Sequence, residues 1–117
     1  MVSILRSVSI LGSTGSVGKN TLEVITSLSE RYSLYGISCN QNILLLHDQI
    51  TKYKPTIAVI TDKKKYTEFV DQHGSRIGDT DIVYGEEGLN EISSQQVVDI
   101  VVAAIVGFTC LRPVINA

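Results

Sequence analysis

Several things are missing from this sequence, and each absence closes off a class of protein. No apolar run approaches the ~18 residues of a membrane-spanning helix. The formal net charge is only −2, which argues against broad nucleic-acid binding and against attraction to a membrane surface. The five tyrosines are scattered and form no stacking stripe for single-stranded nucleic acid. Two cysteines, Cys39 and Cys110, stand far apart in apolar or loop surroundings. They read as reduced thiols in a cytoplasmic setting, since no histidine stands where it could activate either one. There are no internal repeats and no low-complexity tracts. The N-terminus runs straight into an apolar strand pattern, so no targeting peptide is expected within this stretch.

What is present is enough for one domain. The chain has 117 residues, 44% of them hydrophobic, with no linker-like stretch to divide it. Strand and helix patterns alternate. Strands are expected at Ser7–Leu11, Ser33–Cys39, Ile57–Thr61, Asp81–Tyr84 and Val98–Val102. Helices are expected at Ser16–Leu28, Asn42–Tyr53, Lys63–His73 and Glu87–Ile92. In the first helix Val17, Thr21, Val24, Ile25 and Leu28 recur at helical spacing and predict the buried face. Asn40 or Asn42 is the candidate cap of the second, Lys54-Pro55 stops it, and Gly74 closes the third. The last strand is the most apolar and should be covered on both faces. The pattern predicts an α/β fold: a Rossmann-like, doubly wound, mainly parallel sheet with helices on both faces. The closing segment, "GFTCLRPVINA", reads as the opening of a helix with no cap. We therefore expect 1–117 to be one domain of a longer protein.

The segment "GSTGSVGKNT" (12–21) follows the first strand and carries the chemistry. A triphosphate-binding loop needs G-x-x-x-x-G-K-[ST]. With Gly18-Lys19 as its end, that pattern puts Ser13 where the first glycine belongs and Asn20 where the metal-binding hydroxyl belongs. Both ends are out of place. Gly12, Gly15 and Gly18 fit a dinucleotide turn instead. The first permits the sharp turn, the second lets a pyrophosphate approach the backbone, and the third lets the helix pack close to the strand. Helix N–H groups then face the phosphates, with hydroxyls from Ser13, Thr14 and Ser16 beside them.

The end of the second strand bears on which nicotinamide cofactor is bound. It reads "SCNQN", with no acid between Ser38 and Asn42 to hold a ribose 2′-hydroxyl. Asn40, Gln41 and Asn42 offer amide donors, and the absence of a carboxylate admits a 2′-phosphate. We expect NADPH over NADH; equal affinity for the two in a titration would overturn this. Lys63, Lys64 and Lys65 read first as a solvated helix start, with a contribution of positive charge to the site as the alternative. His47 and His73 read as surface histidines. Asp79, Asp81, Glu86 and Glu87 read as a solvated acidic turn without metal-ligand spacing.

Three ordered blocks resemble the N-terminal region of 1-deoxy-D-xylulose 5-phosphate reductoisomerases. They are "ILGSTGSVG..TLEVI" (10–25), "NILLLHDQITKYKP" (42–55) and "VVAAIVGFTCLRPVINA" (101–117). The resemblance implies an NADPH-binding domain. The whole enzyme would rearrange and reduce 1-deoxy-D-xylulose 5-phosphate to 2-C-methyl-D-erythritol 4-phosphate in non-mevalonate isoprenoid biosynthesis. It implies a homodimer, inhibition by fosmidomycin, and a divalent metal, magnesium or manganese. The metal-binding acids, catalytic lysine and substrate contacts would lie outside these 117 residues, so the chain alone should be inactive. By position, Thr14, Gly15, Ser16 and Val17 match the family's phosphate turn. Asn40, Gln41 and Asn42 match its 2′-phosphate loop, where the usual residues are glycine, a basic residue and asparagine. Ala104, Ile105 and Val106 match the segment near the nicotinamide. Other readings share the glycine turn: the cofactor domain of a semialdehyde dehydrogenase or an epimerase-like reductase, or a non-catalytic NAD(P)-sensing module. Sequence beyond the chain would separate them.

Overall fold

The computed structural model describes residues 6–94 and 98–103. They form β1 (Arg6–Leu11), α1 (Ser16–Ser27), β2 (Tyr32–Cys39), α2 (Ile43–Tyr53), β3 (Ile57–Ile60), α3 (Lys63–His73), β4 (Arg76–Ile77), β5 (Thr80–Tyr84), α4 (Gly85–Ile92) and β6 (Ile100–Ala103). One six-stranded sheet runs in the order β4-β5-β3-β2-β1-β6. Every pairing is parallel except β4 with β5.

The strand sequences account for this layering. All four residues of β3, Ile-Ala-Val-Ile, are buried, as a central parallel strand requires when both faces are covered. On one face Ile10, Ile37 and Ile60 meet Leu22 of α1, Leu46 of α2 and Phe69 of α3. On the other, Leu11, Ile57 and Val59 meet Ile92 of α4. Helices therefore cover both faces, as the alternating pattern predicts. Strand β1 has β2 on one side and β6 on the other. The chain leaves β1 through α1 on one face and reaches β6 from α4 on the opposite face. That reversal opens a crevice at the carboxyl end of β1, where open α/β sheets bind ligands.

Local signals set the helix ends. The Asn42 side chain accepts the Leu45 N–H at 3.2 Å, and that of Asp62 accepts the Lys65 N–H at 2.9 Å. Helix α2 ends at Lys54, which takes a left-handed φ of 52° immediately before Pro55. Gly74, with φ 87°, closes α3.

Several expectations are corrected. The buried face of α1 is Gly18, Leu22 and Ile25, whereas Val17 and Val24 are 58% and 55% exposed and Leu28 is also exposed. The apolar residues of α1 fit two helical stripes. The one carrying Gly18 wins because only it allows the helix to lie against the turn. Residues of β6 are half-buried, not covered, because β6 is the edge strand among the described residues. Inside the turn-rich stretch "SRIGDTD" the structure adds β4, a two-residue strand turned back on β5 through Gly78 (φ 57°). Helix α4 begins two residues earlier than expected, at Gly85.

Candidate functional site

The glycine-rich turn lies at that crevice. Leaving β1, Gly12 takes φ 85°, a region an L side chain rarely enters. Gly15 then adopts extended backbone at the N-cap of α1 and donates its N–H to the Gly12 carbonyl at 3.3 Å. The first intrahelical bond runs from Lys19 N–H to Gly15 carbonyl at 2.9 Å. The N–H groups of Ser16, Val17 and Gly18 consequently have no partner within the helix. No side chain caps this end and no acid stands in its first turn, in contrast to α2 and α3 with their Asn42 and Asp62 caps. The positive end of the α1 dipole is left available to an anion.

Gly18 fixes how close the helix comes. A Cβ at this position would lie 2.4 Å from the Gly12 carbonyl oxygen and 2.6 Å from the Ser13 Cα. Backbone meets backbone here, so no side-chain rotation could relieve the clash. Gly12 and Gly18 thus have the roles the motif assigns them.

Buried polar side chains hold the turn from behind. Ser13 is fully buried. Its hydroxyl donates to Gln49 Oε1 at 2.7 Å, and its carbonyl accepts from Gln49 Nε2 at 2.8 Å. The Ser13 N–H donates to the Ser38 carbonyl at 2.8 Å, and the Gly12 N–H to the Ser38 hydroxyl at 2.9 Å. Ser13 therefore looks inward and is a structural pin, not the phosphate-facing hydroxyl suggested by its place in the motif. Thr14 is half-buried, and Gly15, Ser16 and Val17 are exposed, around the open end of α1. Gln49 and Ser38 escape sequence reading. Gln49, a polar residue on the buried face of an amphipathic helix, was the available signal.

The second loop is next to the first. Asn40 and Gln41 follow β2 and are exposed; Asn42 caps α2. The Asn40 Oδ1 accepts the Thr61 hydroxyl at 2.9 Å, tying the ends of β2 and β3 together. A surface pocket of about 200 Å³ opens between this loop and α3, lined among others by Gln41, Asn42, Lys65, Glu68 and Gln72. Of the three lysines only Lys65 reaches it; Lys63 and Lys64 are exposed elsewhere. Ala104, Ile105 and Val106 lie outside the described residues, as does Cys110.

The remaining candidates have structural roles. Cys39 is buried, and burial pushes its thiol up to about 12, so it is neutral and unreactive in the fold. His47 and His73 stack on each other at 4.2 Å and flank Phe69, which makes them packing partners between α2 and α3. Asp79 and Asp81 lie 3.8 Å and 3.7 Å from Arg76, and Glu86 and Glu87 form the first turn of α4. No group of three or more metal-ligating side chains occurs among the described residues. Nor is any described helix long and apolar enough to cross a membrane.

Known proteins bear on this geometry. Residues 8–117 match the family model described as 1-deoxy-D-xylulose 5-phosphate reductoisomerase. Proteins of that name from Clostridium perfringens and Saccharophagus degradans are 36% and 37% identical over 113 residues. Each match covers 97% of this chain and 29% of the relative, so the chain spans under a third of their length. Among solved structures, the reductoisomerase from Zymomonas mobilis in complex with NADPH superposes with a TM-score of 0.83 at 28% identity, covering 97% of this chain and 29% of that one. A reductoisomerase bound to NADPH, fosmidomycin and magnesium gives 0.82 at 34% identity, covering 93% of this chain and 26% of that one.

Proposed function

The chain belongs to the 1-deoxy-D-xylulose 5-phosphate reductoisomerase family, and from that premise we propose that it is the NADPH-binding unit of such an enzyme. The observation that carries this reading is the uncapped N-terminus of α1, placed directly behind the positive-φ turn at Gly12. An anion there would meet the backbone N–H groups of the first turn, which no side chain caps. Residues Gly12, Thr14, Gly15, Ser16, Val17 and Gly18 form the phosphate turn, and Asn40, Gln41 and Asn42 the adenosine-ribose end. Ala104, Ile105 and Val106 complete the nicotinamide end by family position.

When bound, NADPH supplies the hydride for reduction of the sugar-phosphate intermediate. This chain's residues bind and orient the cofactor: the turn fixes the pyrophosphate, and the Ser13–Gln49–Ser38 network keeps the turn from moving. The divalent metal, magnesium or manganese, and the sugar-phosphate contacts belong to parts of the enzyme that this chain does not span. The chain by itself is therefore inactive in rearrangement and reduction. Family resemblance supports a cytoplasmic, homodimeric enzyme of non-mevalonate isoprenoid biosynthesis.

Fluorescence titration with NADPH tests this directly. The protein should bind saturably, and Gly15→Asp should abolish binding by placing a carboxylate where the pyrophosphate must sit. Failure of the wild-type protein to bind, or undiminished binding by Gly15→Asp, would overturn the assignment.

A further inference from the structure

The loop after β2 lacks the cation that a 2′-phosphate normally meets. In this fold the group that reads the ribose 2′ position stands near the end of the second strand: an acid for a hydroxyl, or a basic residue for a phosphate. Here that stretch, Asn40, Gln41 and Asn42, carries no charge. We infer that Lys65, delivered from α3 instead of from the loop, is the residue that selects the 2′-phosphate. This deepens the NADPH reading and rests on it.

The placement comes from the pocket. Gln41 and Asn42 form one wall of it, and Lys65, Glu68 and Gln72 another. Lys65 is the cation among its lining residues and Glu68 the anion. Asp62 caps α3 and accepts the Lys65 N–H at 2.9 Å. That contact fixes where α3 begins and so where the lysine leaves the backbone, beside the pocket it lines. Lys63 and Lys64 precede it on the same turn but do not reach the pocket. Amide side chains can hydrogen-bond a phosphate but cannot balance its charge. A charge-assisted contact from an ammonium supplies that balance.

Glu68 explains how the lysine is held and released. Lys65 Nζ lies 3.4 Å from Glu68 Oε2, an i,i+3 pair whose side chains are 36% and 44% exposed. Exposed pairs of this kind hold weakly. The ammonium can turn to a dianion with little loss, leaving Glu68 to solvent. The carboxylate then works against the phosphate, so the pair sets the degree of preference: Lys65 raises affinity for NADPH and Glu68 tempers it. NADH, with a neutral hydroxyl at that position, forms no ion pair with Lys65.

The experiment compares NADPH and NADH dissociation constants for the wild-type protein and four variants. Lys65→Gln should weaken NADPH by about ten- to a hundredfold, as expected for loss of a hydrogen bond to a charged group, and leave NADH within about twofold. Lys65→Arg should retain NADPH preference. Glu68→Gln should tighten NADPH, and Lys63→Gln should change neither dissociation constant. Retention of NADPH affinity by Lys65→Gln would overturn the role of Lys65 while leaving the dinucleotide site in place. Equal loss of both cofactors in Lys65→Gln would overturn it too, because the effect would not be specific to the 2′-phosphate. If the wild-type protein binds neither cofactor, the NADPH reading itself fails.

Discussion

Replacing Gly18 by alanine isolates the close approach on which the phosphate turn depends. Two effects oppose each other. Alanine is a better helix former than glycine by about 1 kcal/mol in a helix interior, so a site with free space would be stabilised. At Gly18 the added Cβ would come within 2.4 Å of the Gly12 carbonyl oxygen and 2.8 Å of the Ser13 carbonyl carbon. Real Cβ atoms essentially never come under 3.0 Å, so backbone must give way by 3.0 − 2.4 = 0.6 Å or more. The displaced atoms belong to a turn pinned by Gln49 and Ser38, and moving it stretches buried hydrogen bonds. Overpacking of this kind costs about 1–3 kcal/mol, and a backbone contact belongs at or above the upper end. The net loss is about 2 kcal/mol or more. In a urea titration with m near 2 kcal/mol/M, the midpoint should fall by roughly 1 M or more. Gly88→Ala is the comparison: its Cβ would meet the Val59 and Val83 methyl groups at 2.9 and 3.0 Å, so side chains can share the adjustment. Gly88→Ala should leave NADPH binding intact, whereas Gly18→Ala should weaken it along with stability. A Gly18→Ala protein as stable as wild type would refute the packing argument, because the helix would then have room to spare.

Two further perturbations test the support of the site and its core. Gln49→Leu removes both contacts to Ser13 and leaves the buried Ser13 carbonyl without its partner; it should cost about 1–3 kcal/mol in urea unfolding and weaken NADPH binding, and an unchanged midpoint would show that the turn does not need the clamp. In a Cys110→Ser background, Cys39 should resist a thiol reagent at pH 8 until the protein unfolds, because burial holds its thiol up to about 12, above its ordinary value of 9.0. The raised value also sets a pH window: the neutral thiol's contribution is fully present below about 9 and is lost as pH rises toward 12, so Cys39→Ala should flatten that part of the stability profile, and rapid labelling of the native protein would overturn the buried assignment.

Elements whose signal is local were legible in the sequence. Alternation of β-branched runs with helical spacing located every long element, and Pro55 and Gly74 marked two helix ends. Asn42 was recognised as a possible cap from its residue type alone. The misreadings arise where tertiary contact decides. Val17 and Val24 fit a helical stripe as well as Leu22 and Ile25 do, and periodicity cannot tell which stripe turns inward. The two-residue β4 was invisible because its partner lies across a turn and its residues, Arg76 and Ile77, carry no alternation. The histidines do lie at the surface, His73 exposed and His47 half-buried, but their stacking was not legible, because nothing in their own helices reveals that α2 and α3 bring them together.

The same distinction runs through the site and explains why one half of it was readable and the other was not. In the proposed site the pyrophosphate would be met by backbone, and backbone recognition constrains which side chains are absent. Glycine at 12, 15 and 18 is the imprint of that constraint, and it survives in a single sequence. Selectivity at the 2′ position is a matter of side-chain charge, and charge can be delivered from any element whose end reaches the pocket. When the loop after β2 gives up its cation, a lysine 24 residues beyond Gln41 can take its place, because β2 and β3 are adjacent parallel strands and α3 starts where β3 ends. Such a replacement leaves no local motif. It becomes visible only when the sheet order is known, since the sheet makes neighbours of Gln41 and Lys65.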